Sequence, residues 1–178
     1  MDFHETILNR RSIRRFTDSP VPEATILKLL EYASAAPSAC NRKPWEFYVV
    51  TEEKFLSPLR KASRFTNYIS PLNIVVCGNT RRSLPLQLSS YWIQDCSAAI
   101  ENILLGATSL GLGAVWCGLL PQVRPQDRVR KILSLPEHII PLALIHIGTP
   151  SEARPPHEGL DMKRVHFVKE GAPVEEDE

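Results

Sequence analysis

The stretch from Tyr91 to Leu110 limits most tightly how this chain can fold. Ile93, Cys96, Ile100, Ile103, Ala107 and Leu110 recur at alternating spacings of three and four, and Ala98, Ala99, Leu104 and Leu105 widen the apolar surface. That period is helical. A helix apolar over so much of its girth needs cover on more than one side, from the rest of the chain and in part from a partner subunit. Glu101 and Asn102 interrupt it, so it reads as a core helix and not a membrane span. Gly111 and Gly113 end it.

The cover must come from elements that can be placed in turn. Asp2 with Glu5 three residues on predicts a capping box for a first helix, with Phe3, Ile7 and Leu8 facing inward. Pro22 predicts the first turn of a second helix, with Ile26, Leu27, Leu30 and Ala33 as its buried stripe. Phe47–Val50 reads as a strand. Thr51 is the expected cap of a short helix that Pro58 kinks or divides. Asn73–Gly78 is apolar on both faces and reads as a buried strand. Ala114–Cys117, Ile139–Ile147 and Arg164–Val168 follow as strands, with a short helix from Pro125 between the first two of these. Strands separated by helices and long crossovers predict an α+β fold with a mixed sheet. The expectation is one domain over residues 1–178, with about 170–178 a frayed tail.

Several function classes drop out on charge and composition. Formal net charge is only +1, whereas a dedicated nucleic-acid binder shows an uncompensated basic face. The N-terminus lacks the basic start and apolar core of a secretory signal. Cys40, Cys77, Cys96 and Cys117 form no C-x-x-C, so free thiols in the cytoplasm are expected. His4, His138, His146, His157 and His166 have no metal-ligand spacing, and His146, inside an apolar strand, reads as a core residue. There is no G-x-S-x-G, and Gly111-x-Gly113 is no dinucleotide fingerprint. The chain thus carries no obvious chemistry of its own, which leaves a bound cofactor to supply it.

Positive charge is concentrated at Arg10-Arg11-Ser12-Ile13-Arg14-Arg15, four guanidinium groups and a hydroxyl within six residues. Guanidinium pairs phosphate through two parallel N–H···O bonds, and the hydroxyl adds a donor. A solvated basic helix end or a nucleic-acid patch is the alternative for such a run. A second distinctive stretch, Ala36-Pro37-Ser38-Ala39-Cys40-Asn41-Arg42-Lys43-Pro44-Trp45-Glu46-Phe47, leads from a Pro- and Ser-containing loop into an aromatic strand.

Taken together, and in this order, these stretches resemble the nitroreductase family of FMN-dependent oxidoreductases. The resemblance continues through Gln94-Asp95, Gly111–Gly118, Ile147–Pro150 and Arg164-Val165-His166-Phe167, and so spans nearly the whole chain. Lys43 stands where the family usually has Gln. The resemblance implies a three-layer sandwich, a mixed sheet flanked by helices, in a homodimer whose C-terminal segment reaches over the partner. It implies FMN bound by Arg10, Arg11 and Ser12 near the phosphate and ribityl chain, with Arg14 near the N1/O2 edge of the ring. Pro37, Ser38, Ala39 and Asn41 would line the other side from the partner chain. Cys117, Gly118 and Leu119 would lie along the ring, one backbone N–H pointing at N5. Arg164 is the better match for a second phosphate arm, with Arg154 and His157 as alternatives. Trp45 reads as packing, whereas Trp116 suits packing or stacking equally.

The implied activity takes hydride from NADH or NADPH and passes two electrons to a small-molecule acceptor, a nitroaromatic or quinone, by a ping-pong mechanism. No side chain is assigned as the catalytic acid or base. At this length a shallow, permissive acceptor site is expected, with no metal, no nucleic acid and no membrane. Dehalogenation, flavin fragmentation and non-catalytic flavin binding are the alternatives.

Overall fold

The computed structural model describes residues 1–168. Four strands, β1 (Trp45–Val50), β2 (Leu72–Asn79), β3 (Gly113–Gly118) and β4 (Ile139–Gly148), form one sheet in the spatial order β1-β2-β4-β3. Five helices surround it: α1 (Phe3–Asn9), α2 (Glu23–Ser34), α3 (Glu53–Arg60), α4 (Tyr91–Ser109) and α5 (Val123–Ile132). Side chains alternate across a strand, and here both faces are apolar. Leu72, Ile74 and Val76 of β2 pack with Ile26, Leu29 and Ala33 of α2 and Ile100 and Ile103 of α4. Val75 and Cys77 point the other way, into a cluster with Leu56 and Leu59 of α3 and Val129 of α5. The result is the α+β three-layer sandwich, helix pair, sheet, helix pair.

Several expectations are corrected. All four strands pair antiparallel, and parallel pairing is confined to one isolated bridge between Ser12 and Ala114. The reason lies in the connections: after the two turns of α3, residues 61–71 return the chain to the end of the sheet at which β1 finished. Arg164–Val168 is no strand; Met162–Arg164 forms a single 3-10 turn. In α1 the capping box is present, with Glu5 N–H donating to Asp2 Oδ1 at 2.8 Å and Asp2 N–H to Glu5 Oε2 at 3.1 Å. Yet Phe3 and Ile7 are exposed and Thr6 is the buried residue. In α2 the buried stripe is Ile26, Leu29 and Ala33, and Leu27 is exposed. Glu52, not Thr51, precedes α3, and neither Glu52 nor Pro22 makes a side-chain cap. α4 is covered by α2 and the sheet, leaving Ile93, Ala98 and Leu105 half-buried. The expected tail, about 170–178, lies outside the described residues.

Two features position the site. β3 is an edge strand, and the chain leaving α1 runs along its open side. Ile13 N–H donates to Ala114 O at 3.0 Å, Thr17 N–H to Thr149 O at 2.9 Å and Ser151 N–H to Arg15 O at 3.0 Å. Gly113 permits this approach, since a Cβ there would lie 2.7 Å from Ile13 Cγ2. His146, fully buried on β4, is the core residue its sequence context predicted, with Nδ1 2.8 Å from Ser70 Oγ.

Candidate active site

A cleft of about 340 Å³ opens where the arginine run meets the end of β3, lined by Arg14, Tyr68, Trp116, Cys117, Gly118 and Gln122 among others. Antiparallel ladders alternate the direction of backbone groups residue by residue. Ala114 O receives Ile13 N–H on the open side, and Leu119 N–H donates to Leu142 O at 2.9 Å on the β4 side. Alternation therefore turns the N–H of Gly118 to the open edge, above the cleft. Leu119 is committed to β4 and fully buried, so the free amide belongs to Gly118.

Gly118 has no internal reason to be glycine. Its φ is not left-handed, and the nearest atom to a built Cβ would be Leu120 O at 3.7 Å. A bare backbone with an outward N–H at the floor of a cleft is a surface against which a flat group can lie. These residues fit a ring with a polar edge.

Arg14 overhangs this surface. Its backbone N–H donates to Glu152 Oε1 at 2.7 Å, its Nη1 to Ser12 O at 3.3 Å, and its guanidinium carbon lies 6.0 Å from the Tyr68 ring centre. The hydrogen bond from the Arg14 backbone holds the Glu152 carboxyl below its usual range, with Arg154 and Arg15 contributing charge. Burial pushes the Cys117 thiol up to about 12, only partly offset by the Arg14 charge, so it stays a neutral thiol. Cys96, likewise buried, is pushed up to about 12.

Arg10 and Arg11 sit farther back, under a strap of residues 154–158. Arg11 Nη1 donates to the carbonyls of Pro155 and Pro156, the latter at 3.2 Å, and His157 N–H donates to Leu8 O at 2.8 Å. Arg10 Nη2 lies 3.1 Å from His157 Nε2, and its Nε lies 3.4 Å from Glu101 Oε1. The other two second-arm candidates are elsewhere. Arg154 pairs with Glu152 at 3.5 Å, and Arg164 is exposed, pairing with Asp161 at 3.4 Å.

The loop from Pro37 to Lys43 is wound tightly. Cys40, Asn41 and Lys43 adopt φ of 51°, 52° and 46°, left-handed backbone that only Asn among them accepts readily. Asp95, a buried acid on α4, accepts Ala39 N–H at 2.8 Å; Ser38 Oγ accepts Lys43 N–H at 2.9 Å; Arg42 Nε donates to Arg82 O at 2.9 Å. Such strain persists only where surroundings over-determine it, and it marks a place worth functional scrutiny. None of Pro37, Ser38, Ala39 or Asn41 lines the Arg14–Gly118 cleft of the same chain.

A larger cavity, about 740 Å³, lies between α2, α3 and the end of β1. Its only guanidinium, Arg60, is paired with Glu53, and its walls are mostly aliphatic. It offers nothing to an anion. No helix among the described residues is long and apolar enough to cross a membrane, and no cluster of three or more metal-ligating side chains occurs among them.

Sequence reasoning missed Tyr68, Gln122 and Glu152, and it noted Asp95 only within the Gln94-Asp95 motif, without its hold on the Ala39 N–H. Tyr68 and Gln122 reach the cleft through loop geometry that no local pattern encodes. Trp45 packs in the core, whereas Trp116 is partly exposed on the cleft wall.

An α+β sandwich with an open-edge cleft, lined by Arg14 and by no carboxylate or imidazole among the described residues, suits a bound group that brings its own chemistry. The model of the Nitroreductase family matches residues 7–67 and 60–149, and the chain belongs to that family of oxidoreductases. It is 39% identical over 171 residues to an NADH dehydrogenase/NAD(P)H nitroreductase of Methanothermobacter thermautotrophicus, covering 95% of this chain and 88% of that protein. A crystal structure from Parabacteroides distasonis, also described as NADH dehydrogenase/NAD(P)H nitroreductase, superposes with a TM-score of 0.87 at 41% identity, over 93% of this chain and 97% of that one. A nitroreductase from Desulfovibrio desulfuricans, solved in complex with FMN, is 26% identical with a TM-score of 0.78, over 93% of this chain and 96% of that one.

Proposed function

We propose that this chain is a single-domain, FMN-dependent NAD(P)H oxidoreductase working as a homodimer. The observation that carries the reading is Gly118: bare backbone, an outward N–H and an overhanging arginine at one cleft. When bound, the flavin supplies the two-electron chemistry, accepting hydride from NADH or NADPH and reducing a nitroaromatic, quinone or similar electrophile in a ping-pong sequence. Arg10, Arg11 and Ser12 hold the phosphate and ribityl chain. Cys117 and Gly118 form the floor beneath the ring. Pro37, Ser38, Ala39 and Asn41 of the partner subunit close the other side, and the failure of this loop to reach the cleft of its own chain supports a shared site. Exposed Phe3, Ile7, Leu160, Met162, Phe167 and Val168 support a dimer in which the C-terminal segment crosses to the partner.

No carboxylate or imidazole lines the cleft among the described residues, which suits a permissive acceptor. Anaerobic mixing of the yellow protein with NADH or NADPH, followed by acceptor screening, tests the activity. Bleaching of the flavin absorbance and its return with a quinone is expected; no bleaching with either donor overturns the oxidoreductase reading for this site.

Arg14 tunes the ring and Arg10 holds the phosphate, so their replacement separates two effects. A cation near the N1/O2 edge favours the electron-rich form, and loss of one such partly buried contact is worth roughly 1–3 kcal/mol. Arg14→Gln is expected to lower the two-electron potential by roughly 20–65 mV, read by equilibrium dye titration. Arg10→Gln is expected to weaken FMN binding with little change in potential. An unchanged potential in Arg14→Gln would make Arg14 a second phosphate anchor.

A further inference from the structure

The cleft at the end of β3 opens beside a patch of positive charge. Two of its wall residues, Phe65 and Gln122, belong to segments 61–68 and 118–128, which run outward from it. Arg128 Nη1 donates to Ala62 O at 3.1 Å and so ties α5 to the turn after α3. Arg124 lies one helical turn before Arg128, on the same face of α5 and on the Gln122 side, nearer the cleft. Arg64 stands on the other segment, its guanidinium carbon 4.6 Å from the centre of the Phe65 ring. Together the two segments carry Lys61, Arg64, Arg124 and Arg128 against a single acid, Asp127, in a chain whose net charge is only +1. None of these groups forms an ion pair among the described residues.

This charge does little for the fold. A cation in the first turn of a helix opposes the helix dipole, and α5 has no acidic residue there to offset Arg124. Stacking on an exposed ring is worth only about 0.5–1 kcal/mol to Arg64, and it occupies the face of the guanidinium while leaving its N–H edge open. Arg64 and Arg124 are both exposed. Two such guanidinium groups suit the oxygens of a phosphate or pyrophosphate. The anion that the reading above brings to this cleft is a reduced nicotinamide dinucleotide. Its nicotinamide ring is uncharged, and the first charged group beyond the attached ribose is the pyrophosphate. We propose that Arg64 and Arg124 bind the pyrophosphate of NADH or NADPH as its nicotinamide enters the cleft, with Arg128 holding the two segments together. This rests on the oxidoreductase reading and adds to it a donor subsite outside the residues assigned to the flavin. Because both dinucleotides carry the pyrophosphate, the subsite selects for a dinucleotide and not between the two.

The test compares wild type, Arg64→Gln, Arg124→Gln and the double variant, all loaded with FMN. Binding is read by calorimetry with the tetrahydronicotinamide analogue of NADH, which keeps the pyrophosphate but gives no hydride. Its dissociation constant is expected to rise about tenfold in the double variant, equivalent to about 1.4 kcal/mol, and by less in each single variant. In salt of about 1 M, where the screening length is about 3 Å, the wild-type constant should approach that of the double variant. KM for NADH and for NADPH should rise by a common factor. N-benzyl dihydronicotinamide, a donor without phosphate, should bleach the flavin of every variant at the wild-type rate. An unchanged dissociation constant, or an equal loss with the benzyl donor, overturns the assignment while leaving the oxidoreductase reading standing. A loss confined to NADPH overturns it too, because the arginines would then read the 2′-phosphate. Wild-type flavin that neither NADH, NADPH nor the benzyl donor bleaches overturns the oxidoreductase reading and this inference with it.

Discussion

Gly118→Val is expected to weaken flavin binding and leave the fold intact. Within the chain the new side chain meets little, because the nearest atom to its Cβ is Leu120 O at 3.7 Å, and a β-branched residue suits a strand. The two branch methyls would instead stand in the cleft floor beneath Arg14, Tyr68 and Trp116. Inserting methyl groups into an occupied, close-packed space costs about 1–3 kcal/mol, so FMN affinity should fall by roughly 5- to 150-fold. The unfolding free energy of the flavin-free protein, from urea titration, should stay within about 0.5 kcal/mol of wild type. Equilibrium dialysis and urea titration on the same preparations separate the two quantities. If FMN affinity is unchanged, no ring lies against Gly118, and the cleft at the end of β3 is not the flavin site. A parallel loss of stability would show instead that glycine is required by the strand itself.

The parts of this arrangement that local pattern encodes were legible before any coordinates. α4 runs from Tyr91 to Ser109, within a residue of its periodic stretch, and Asp2 and Glu5 make the reciprocal cap that their spacing predicts. β2 and β4 were visible as apolar runs because both faces of each are covered. What failed was decided by neighbours. Leu27 and Leu29 of α2 both belong to apolar flanks, and only the position of α4 and the sheet makes Leu29 the buried one. Antiparallel pairing depends on how residues 61–71 return, and the same return sets Tyr68 in the cleft. Arg164–Val168 has strand-like composition but no strand beside it among the described residues.

The family resemblance located the arginine run and the Pro37–Lys43 loop, yet it could not distinguish backbone roles within them. Gly118 and Leu119 look equivalent as adjacent residues after a strand. The ladder separates them, because one N–H must face β4 and the other must face away. The three candidates for the second phosphate arm were similarly open on the page of the sequence. Glu152 captures Arg154, Asp161 captures Arg164, and the strap carries His157 to Arg10. The resemblance favoured Arg164, and its partner Asp161 lies three residues away in the same segment, which no motif indicates.

Acidification should destabilise this protein through His146 in a way that a His146→Gln variant does not share. The imidazole is fully buried on β4, held by Ser70 Oγ at Nδ1 and edge-on to Tyr68 with ring centres 5.6 Å apart. Ser70 Oγ also lies 2.7 Å from Asn73 Oδ1, which needs the Ser70 proton, so Nδ1 carries the ring hydrogen and Nε2 is left without a partner. Burial lowers the His146 pKa to about 4, and the Arg60 charge adds to the shift while the Thr66 backbone opposes it. A second ring proton would sit at the unpartnered Nε2. In the unfolded chain the same imidazole titrates near its ordinary value of about 6.5. Between these two values the unfolded state binds a proton that the folded state does not, so stability falls as pH drops from about 6.5 to about 4 and the loss is complete below that. Its full size is about 3 kcal/mol. Urea unfolding across this window should show the excess slope in wild type and not in His146→Gln, the carboxylate contributions being common to both. Equal slopes would mean that His146 keeps its ordinary protonation in the fold. Because Tyr68 packs on His146 and forms part of the cleft wall, flavin release should accompany the acid loss in wild type.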